Sequence, residues 1–195
     1  MRALLLLLGV SIVSGVSGAA VSKEVTSLRD SLAKTQKLSA RFEQTRHWAA
    51  LKDALVTQGS IQYEKGKRLV WKTEAPSESE LILVGTTATM SYPALHTTQT
   101  VDLNADPGMG KVFETIRSVL EADLSKLEPV FDIKVTQKSP LKLALHPKVP
   151  ALAQAIQGLE LAFDARFRLL QVVLREPSGD WTDIAFRDHH VVTGP

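Results

Sequence analysis

Cysteine is absent from the 195-residue chain, so the protein has neither a disulfide nor a thiolate that could bind a metal or act as a nucleophile. Its five histidines include one adjacent pair, His189 and His190. Neighbouring strand residues point to opposite faces, which keeps this pair from binding one metal ion. The chain also lacks a Gly-x-Ser-x-Gly motif and a phosphate-binding loop. We therefore expect no catalytic residues, no metal and no cofactor, and predict that the protein is not an enzyme.

A strong charge of one sign is missing as well. Lys and Arg number 23 against 21 Asp and Glu, and residues of both signs are interspersed along the chain. Nucleic-acid binding normally requires a clustered basic face. Nucleic acid is therefore not an expected partner.

Long apolar segments are lacking except near the start of the chain. Arg2 precedes the apolar residues 3–13, and small residues are frequent over 14–20. The apolar run is shorter than the roughly 20 residues of a membrane-spanning helix, but the three regions together are typical of a secretory signal peptide. We predict a signal peptide at residues 1–19, cleaved after Ala19 or one residue to either side. A buried N-terminal helix is the alternative.

An exported chain without cysteine cannot be a lipoprotein, because acylation requires a cysteine at the new N-terminus. Without disulfides the protein must be stabilised by its hydrophobic core. Residues 20–195 are enough to form that core as a single domain. These features predict a monomer in the periplasm of a Gram-negative bacterium.

Alternation of apolar and polar side chains runs through residues 38–92, with short polar breaks such as Lys65-Gly66-Lys67. This period of two predicts half-buried antiparallel strands that follow one another as a meander. The same period returns over residues 131–186. In total the pattern predicts ten or eleven strands, which is typical of one strongly curved sheet or barrel.

Helical spacing of apolar residues occurs in two main segments. The first, residues 21–37, predicts an amphipathic helix that covers one face of the sheet. A mid-chain helix either packs outside the sheet or lies across the mouth of a cavity, and residues 151–156 predict a short helical turn. The apolar positions of the mid-chain helix are Val112, Phe113, Ile116, Val119, Leu120, Leu124 and Leu127.

Large apolar side chains share one face of the predicted sheet. For any single residue, a place in the hydrophobic core is the ordinary interpretation. A curved sheet with amphipathic helices can instead hold a ligand between sheet and helices. Aromatic and methionine side chains on such a face would suit a long aliphatic chain.

Several short motifs resemble the LolA family of periplasmic lipoprotein carriers and its LolA-like relatives. The resemblance covers nearly the whole chain after the signal peptide in element order. Its strongest part is Phe-x-Gln-Thr with the downstream Trp-x-x-x-x-Pro spacing. The matching segments are Ala40-Arg41-Phe42-Glu43-Gln44-Thr45, Gly59-Ser60-Ile61, Leu69-Val70-Trp71, Ala75-Pro76, and Ile82-Leu83-Val84-Gly85 before Tyr92.

This resemblance implies an unclosed antiparallel β-barrel, with the N-terminal and mid-chain helices as a lid over an apolar cavity. It also implies a non-enzymatic carrier that shields the three acyl chains of a lipoprotein in transit to the outer membrane. The partners it implies are the acylated cargo, an inner-membrane release complex and an outer-membrane acceptor. The cargo is either a lipoprotein or another acylated lipid, and a sensor or interaction domain on the same fold is the alternative function.

The predicted site combines a ligand-binding wall with a latch. In the family, the arginine of an Arg-Pro pair ties the lid shut, and the matching position here is Lys65-Gly66. Lys65 and its neighbour Arg68 are therefore the latch candidates. The predicted ligand-binding residues are Phe42, Ile61, Leu69, Trp71, Leu83, Met90, Phe113, Ile116 and Leu120.

Overall fold

Eleven antiparallel strands form a single sheet in the computed structural model of the protein. The structure describes residues 23–105, 114–115, 117–119 and 124–194. The strand order is β6-β5-β4-β3-β2-β1-β11-β10-β9-β8-β7. Because β6 and β7 are the two edges, the sheet does not close into a barrel. The predicted unclosed antiparallel architecture is thereby confirmed. The predicted signal peptide lies outside the described residues.

The strands follow the predicted meander, with each hairpin partner next in sequence except at the central β1–β11 pair. Their bounds are β1 Thr35–His47, β2 Leu55–Glu64, β3 Arg68–Ala75, β4 Ser79–Val84, β5 Thr87–Tyr92, β6 Thr97–Asp102, β7 Phe131–Lys138, β8 Leu141–Pro147, β9 Gly158–Phe163, β10 Leu169–Arg175 and β11 Trp181–Thr193.

Helices are short and few among the described residues. They are α1 (Lys23–Ala33), a 3-10 turn (Pro93–Leu95), α2 (Leu124–Leu127) and α3 (Pro150–Ala153). Residues 114–115 and 117–119 are also helical, where the mid-chain helix was predicted. None of the helices in the described part of the chain has the length and apolar character needed to cross a membrane.

The hydrophobic core lies on one face of the sheet, where strand residues alternate between buried and exposed. On β8, for example, Leu141, Leu143 and Leu145 are buried, whereas Lys142 and His146 are exposed. Helix α1 packs on the same face through Leu28, whose side chain is completely buried. Burying such a side chain stabilises the fold by about 1.5–3 kcal/mol. The predicted role of the first helix as a cover for one sheet face is therefore confirmed.

Two predicted boundaries near the chain ends differ from the structure. Helix α1 ends at Ala33 rather than at residue 37, and β1 begins at Thr35, because Thr35 pairs with Thr193 of β11. Strand β11 continues seven residues past Phe186 to Thr193. A register shift accommodates this extension near Asp188, whose φ of 54° is typical of a bulge. Pairing between distant strands overrides the local pattern here.

Gly59 marks a close approach between β2 and β3. A Cβ atom at this position would overlap the carbonyl oxygen of Lys72 and lie 2.8 Å from Cζ of Phe42. The register between the two strands shifts between Gln58 and Gly59. Such irregularities bend a strand and increase its twist. Gly59 thus allows the sheet to curve while the Phe42 ring lies over it.

Candidate apolar binding cavity

A cavity of about 520 Å³ lies on the concave face of the sheet. Its wall combines strands from both halves of the sheet with the mid-chain helix, which contributes Thr115 and Val119. The predicted lid combined this helix with the N-terminal helix, but no residue of α1 lines the cavity. Apolar side chains that line it include Leu69, Trp71, Leu81, Met90, Ile156 and Leu174.

An aromatic cluster forms the floor of the cavity. The rings of Phe42 and Trp71 lie 4.4 Å apart and are tilted by 36°. Trp71 also meets Phe186 edge-to-face, with ring centroids 6.1 Å apart. Phe42 is completely buried, whereas Trp71 is only half-buried and faces the cavity. The arrangement fixes a broad apolar surface under any molecule that enters.

Polarity increases along the cavity towards one end, which lies beside the loops at 48–54, 76–78 and 176–180. Residues two apart on a strand share a face, so the change can be followed along each strand. We call the residues Gln44, Arg46, Thr73, Ser79, Glu176 and Thr182 the polar end. The gradient runs from Leu69 to Thr73 on β3, Leu81 to Ser79 on β4, Val172 on β10 to Glu176 just after it, and Phe186 to Thr182 on β11. On β1 the lining residues Gln44 and Arg46 are both polar.

An ion pair occupies the polar end. Arg46 donates from Nη2 to Oε1 of Glu176 at 2.9 Å, and Asp180 Oδ2 lies 3.9 Å from the same nitrogen. The Arg46 and Glu176 side chains are 35% and 24% exposed, so this end of the cavity opens to solvent. Arg46 also lies 5.6 Å from the Trp48 ring centroid. The arginine is therefore held in place on several sides.

The hydroxyl oxygen of Thr182 forms no hydrogen bond with any of the described residues. Its side chain lines the cavity, the residue is 5% exposed, and Oγ1 has no hydrogen-bond partner there. Burying a hydroxyl without a partner costs free energy. Thr182 is thus a buried hydroxyl beside the cavity that costs the fold some stability.

A second cavity, of about 430 Å³, lies at the other end of the fold between α1, the β9–β10 turn and the end of β11. Arg168 pairs there with Asp164 at 2.6 Å, and His189 donates from Nε2 to the carbonyl of Leu169 at 2.7 Å.

Burial alone would raise the pKa of Asp164. Hydrogen bonds from the backbone and side chain of Arg168 and from the backbone of Arg166 outweigh burial and lower the pKa below its usual value.

The latch candidate Lys65 contacts the end of α1. Its Nζ donates to the carbonyl oxygen of Ala33 at 2.7 Å, and its backbone N–H donates to the backbone carbonyl oxygen of Gln36 at 2.9 Å. In the same hairpin, side-chain hydrogen bonds from Lys67 and then Lys37 hold the pKa of Glu64 below its usual value. The other candidate, Arg68, is exposed and pairs with Glu64 in the strand register. Lys65 thus joins the β2–β3 turn to the first helix.

The predicted ligand-binding residues fall into three groups. Leu69, Trp71 and Met90 line the 520 Å³ cavity. Three others, Phe42, Ile61 and Leu83, are buried in the core beneath that wall, with at most 5% of their surface exposed. The remaining three, Phe113, Ile116 and Leu120, lie outside the described residues.

The prediction missed the contribution of β10 and β11. Val172, Leu174 and Ile184 line the cavity together with Phe186, which contacts Trp71. Their alternation in sequence is as regular as that of the first strands, but nothing in it shows that they face the same cavity. The polar end was missed as well, although Gln44 and Arg46 continue the period of two that begins at Phe42.

The fold and the cavity together define a class of protein: a curved, unclosed antiparallel sheet that encloses an apolar site beneath helices. The family model "Outer membrane lipoprotein carrier protein LolA" matches residues 33–193. The chain belongs to the LolA family.

Relatives with curated names agree with this family. A protein named outer-membrane lipoprotein carrier protein from Pseudomonas entomophila is 28% identical over 150 residues, which cover 76% of this chain and 70% of the relative. A protein of the same name from Pseudomonas fluorescens is 29% identical over 129 residues, covering 66% of this chain and 60% of the relative.

A solved structure shares the fold. A chain in the Pseudomonas aeruginosa MucA/MucB complex superposes with a TM-score of 0.50 at 17% sequence identity. The match covers 89% of this chain and 59% of the other chain. This likeness concerns the architecture of the sheet.

Proposed function

We propose that the protein is a non-enzymatic carrier that shields the acyl chains of a lipoprotein, or of another acylated lipid, from water. The observation that supports this most directly is the 520 Å³ cavity, lined mainly by apolar side chains, in a chain of the LolA family. Burying each methylene group is worth about 0.8 kcal/mol. An acyl chain in water therefore gains strongly by entering this cavity.

Reversible transfer requires a site that binds without covalent chemistry. Aliphatic and aromatic side chains dominate the cavity wall and offer shape and dispersion rather than specific polar contacts. Half-buried residues such as Trp71, Leu81 and Met90 leave this surface accessible to a ligand. We place this activity in the periplasm, between a release complex in the inner membrane and an acceptor in the outer membrane.

The proposal is tested by native mass spectrometry of protein purified from the periplasm of a Gram-negative host. We expect adducts with the mass of an acylated lipid or lipoprotein. A protein that emerges empty and binds no acyl probe in solution would contradict the carrier function.

A variant pair separates ligand binding from folding. Trp71→Glu places a charge on the cavity wall, and Val70→Glu places the same charge on the opposite face of β3. Acyl-probe affinity should fall at least tenfold in Trp71→Glu but change little in Val70→Glu, with the melting temperatures of both variants recorded. If both variants lose affinity and stability in parallel, Trp71 serves only the core.

A further inference from the structure

The second cavity, between α1, the β9–β10 turn and the end of β11, has ionisable lining residues of one kind only. Its basic lining residues are Arg166, Arg168, His189 and His190, and no aspartate or glutamate lines it among the described residues. In the first cavity, by contrast, Arg46 is paired with Glu176. A concave site lined by positive charge attracts anions. The second cavity therefore favours an anionic ligand.

Asp164 organises the turn that carries both arginines. Its Oδ1 accepts hydrogen bonds from the backbone N–H groups of Arg166 at 2.8 Å and of Arg168 at 2.9 Å. Its Oδ2 accepts a third from Nε of Arg168 at 2.6 Å. An aspartate that bonds to the backbone just after it is typical of a tight turn. One carboxylate thus fixes the chain at both basic positions.

Arg166 is left without a counter-ion by this arrangement. Asp164 pairs with the Arg168 side chain, whereas the Arg166 side chain has no hydrogen bond or ion pair with any described residue. Arg166 is exposed, so a dissolved anion can reach it. Arg168 also retains Nη1, because its pair with Asp164 uses Nε and Nη2. Guanidinium N–H groups bind phosphate and carboxylate oxygens in pairs, so both arginines can still bind an anion.

Two strained backbone positions adjoin the basic residues. Phe167, between the two arginines, has a φ of 60°, and Asp188, just before the histidines, has a φ of 54°. Only one other non-glycine residue in the described part of the chain, His96, has a positive φ. This conformation is rare for a bulky residue such as phenylalanine, and such strain concentrates at ligand sites. Its presence on two segments of one cavity supports a binding role there.

The bulge at Asp188 changes where the two histidines lie. On a regular strand His189 and His190 would face opposite sides, yet both line this cavity. The His189 ring is held by the hydrogen bond from Nε2 to the carbonyl oxygen of Leu169 at 2.7 Å. Its Nδ1 is therefore left for a second partner.

The rest of the lining favours one kind of anion. Ser31 on α1 and Thr35 on β1 bring hydroxyl groups to the same space, so potential donors come from several elements. A phosphate group carries acceptor oxygens in several directions, whereas a carboxylate has two oxygens in one plane. Apolar residues, which a bare ion would not use, complete the lining and include Leu32, Phe163, Phe167 and Leu169.

We propose that the second cavity binds the phosphate group of an organic ester, with Arg166 and Arg168 on the phosphate oxygens and the carbon atoms of the ester against the apolar lining. This site lies at the other end of the fold from the polar end of the first cavity, and it does not depend on the proposed carrier function. A water-soluble phosphate ester and the headgroup of a phospholipid offer the same chemistry.

The test is a calorimetric titration of the protein with sn-glycerol 3-phosphate. The buffer contains no phosphate and little salt, because salt screens exposed charges. We expect Arg166→Gln to weaken binding about tenfold, since it removes charge-assisted hydrogen bonds to the ligand. The melting temperature should not change, because the Arg166 side chain has no partner among the described residues.

Arg175→Gln is the matched control. It removes the same charge from the opposite end of β10, where Arg175 forms an exposed ion pair with Glu160 and does not line the cavity. Its affinity should stay within about twofold of the original protein. Equal losses in the two variants would show a general attraction to positive charge and would overturn the site.

Nuclear magnetic resonance locates the bound phosphate. During the titration the Nε–H resonances of Arg166 and Arg168 should shift, whereas that of Arg175 should not. If no phosphate compound binds to the folded protein, the site is overturned. That result would leave the carrier function standing, because the carrier function rests on the other cavity.

Two further probes identify the source of the phosphate group. Tighter binding of dihexanoyl phosphatidylglycerol, a short phospholipid, than of glycerol 3-phosphate would assign the site to a lipid headgroup. The reverse order would assign it to a small soluble ester. Only affinity that is lost in Arg166→Gln counts, since the acyl chains of the phospholipid can enter the first cavity. Inorganic phosphate that binds as tightly as glycerol 3-phosphate would overturn the role of the ester.

Discussion

Trp71 and Phe186 meet edge-to-face at 6.1 Å, although two strands lie between β3 and β11 in the sheet. Three inter-strand spacings of about 4.8 Å would separate their backbones by about 14 Å in a flat sheet. The contact therefore depends on strong curvature of the sheet towards the core. Because of that curvature, residues from both halves of the sheet line one cavity.

Gly59 should be essential to this curvature. A methyl group in Gly59→Ala would overlap the carbonyl oxygen of Lys72 and press on the Phe42 ring. We expect a loss of about 1–3 kcal/mol in the free energy of unfolding, measured by urea denaturation. Gly158→Ala is the matched control, because its Cβ would meet its nearest atoms at an ordinary 3.6 Å. Equal losses in the two variants would contradict this role.

Thr182→Val should make the cargo-free protein more stable. The hydroxyl is buried without a partner among the described residues, and valine removes it while keeping the volume. We expect the free energy of unfolding to rise by about 1 kcal/mol, measured by thermal and urea denaturation in the absence of lipid. A fall of the same size would mean that the hydroxyl already has a partner in the free protein.

Lys65 should stabilise the end of α1. Its ammonium group donates to the carbonyl of Ala33, and the last turn of α1 itself has no basic residue. A positive charge at a helix C-terminus contributes about 0.3–1 kcal/mol. In Lys65→Met we expect faster amide hydrogen exchange over residues 30–33, with only a small change in melting temperature.

Lys67→Met is the control for this variant, because Lys67 lies in the same turn but pairs with Glu64 instead. Its exchange in α1 should match that of the original protein. If the two variants exchange alike, Lys65 does not hold the helix.

Asp164 should make stability depend on pH in the acid range. Its pKa is lowered in the folded protein, so the ionised form stabilises the fold above the unfolded-state value of about 3.9. This contribution is lost as the pH falls through the lower folded-state pKa. Asp164→Asn should therefore be less stable than the original protein at pH 6, and the difference should shrink towards pH 3. A difference that stays constant over this range would exclude ionisation of Asp164 as its cause.

The period of two in the sequence predicts the strands because alternate side chains on a strand face opposite sides. This held even for a short strand such as β5, and it identified Leu69, Trp71 and Met90 as residues of the inner face. The pattern failed where long-range pairing decides the structure. The stretch after Phe186 has no clear alternation, yet it forms the second half of β11 because β1 provides its hydrogen-bond partners.

The alternation of apolar and polar residues also does not show which inner-face side chains are buried in the core and which line the cavity. Phe42 and Trp71 share the inner face and touch each other, but one is completely buried and the other lines the cavity. Residue type does not separate them. The difference depends on the neighbours, because the Phe42 ring lies over Gly59 and is covered by the Trp71 ring.

By itself, then, the sequence determined the antiparallel sheet, its inner apolar face, the amphipathic helices and the resemblance to the LolA family, since each depends on local spacing or short motifs. Only the tertiary structure decided where that face stays open. Arg46 and Glu176 are 130 residues apart in the chain, yet they form one ion pair at the polar end. Such a site exists only because the curvature of the sheet brings distant strands together. This curvature accumulates from strand to strand across the eleven-stranded sheet, so it cannot be predicted from a local sequence pattern.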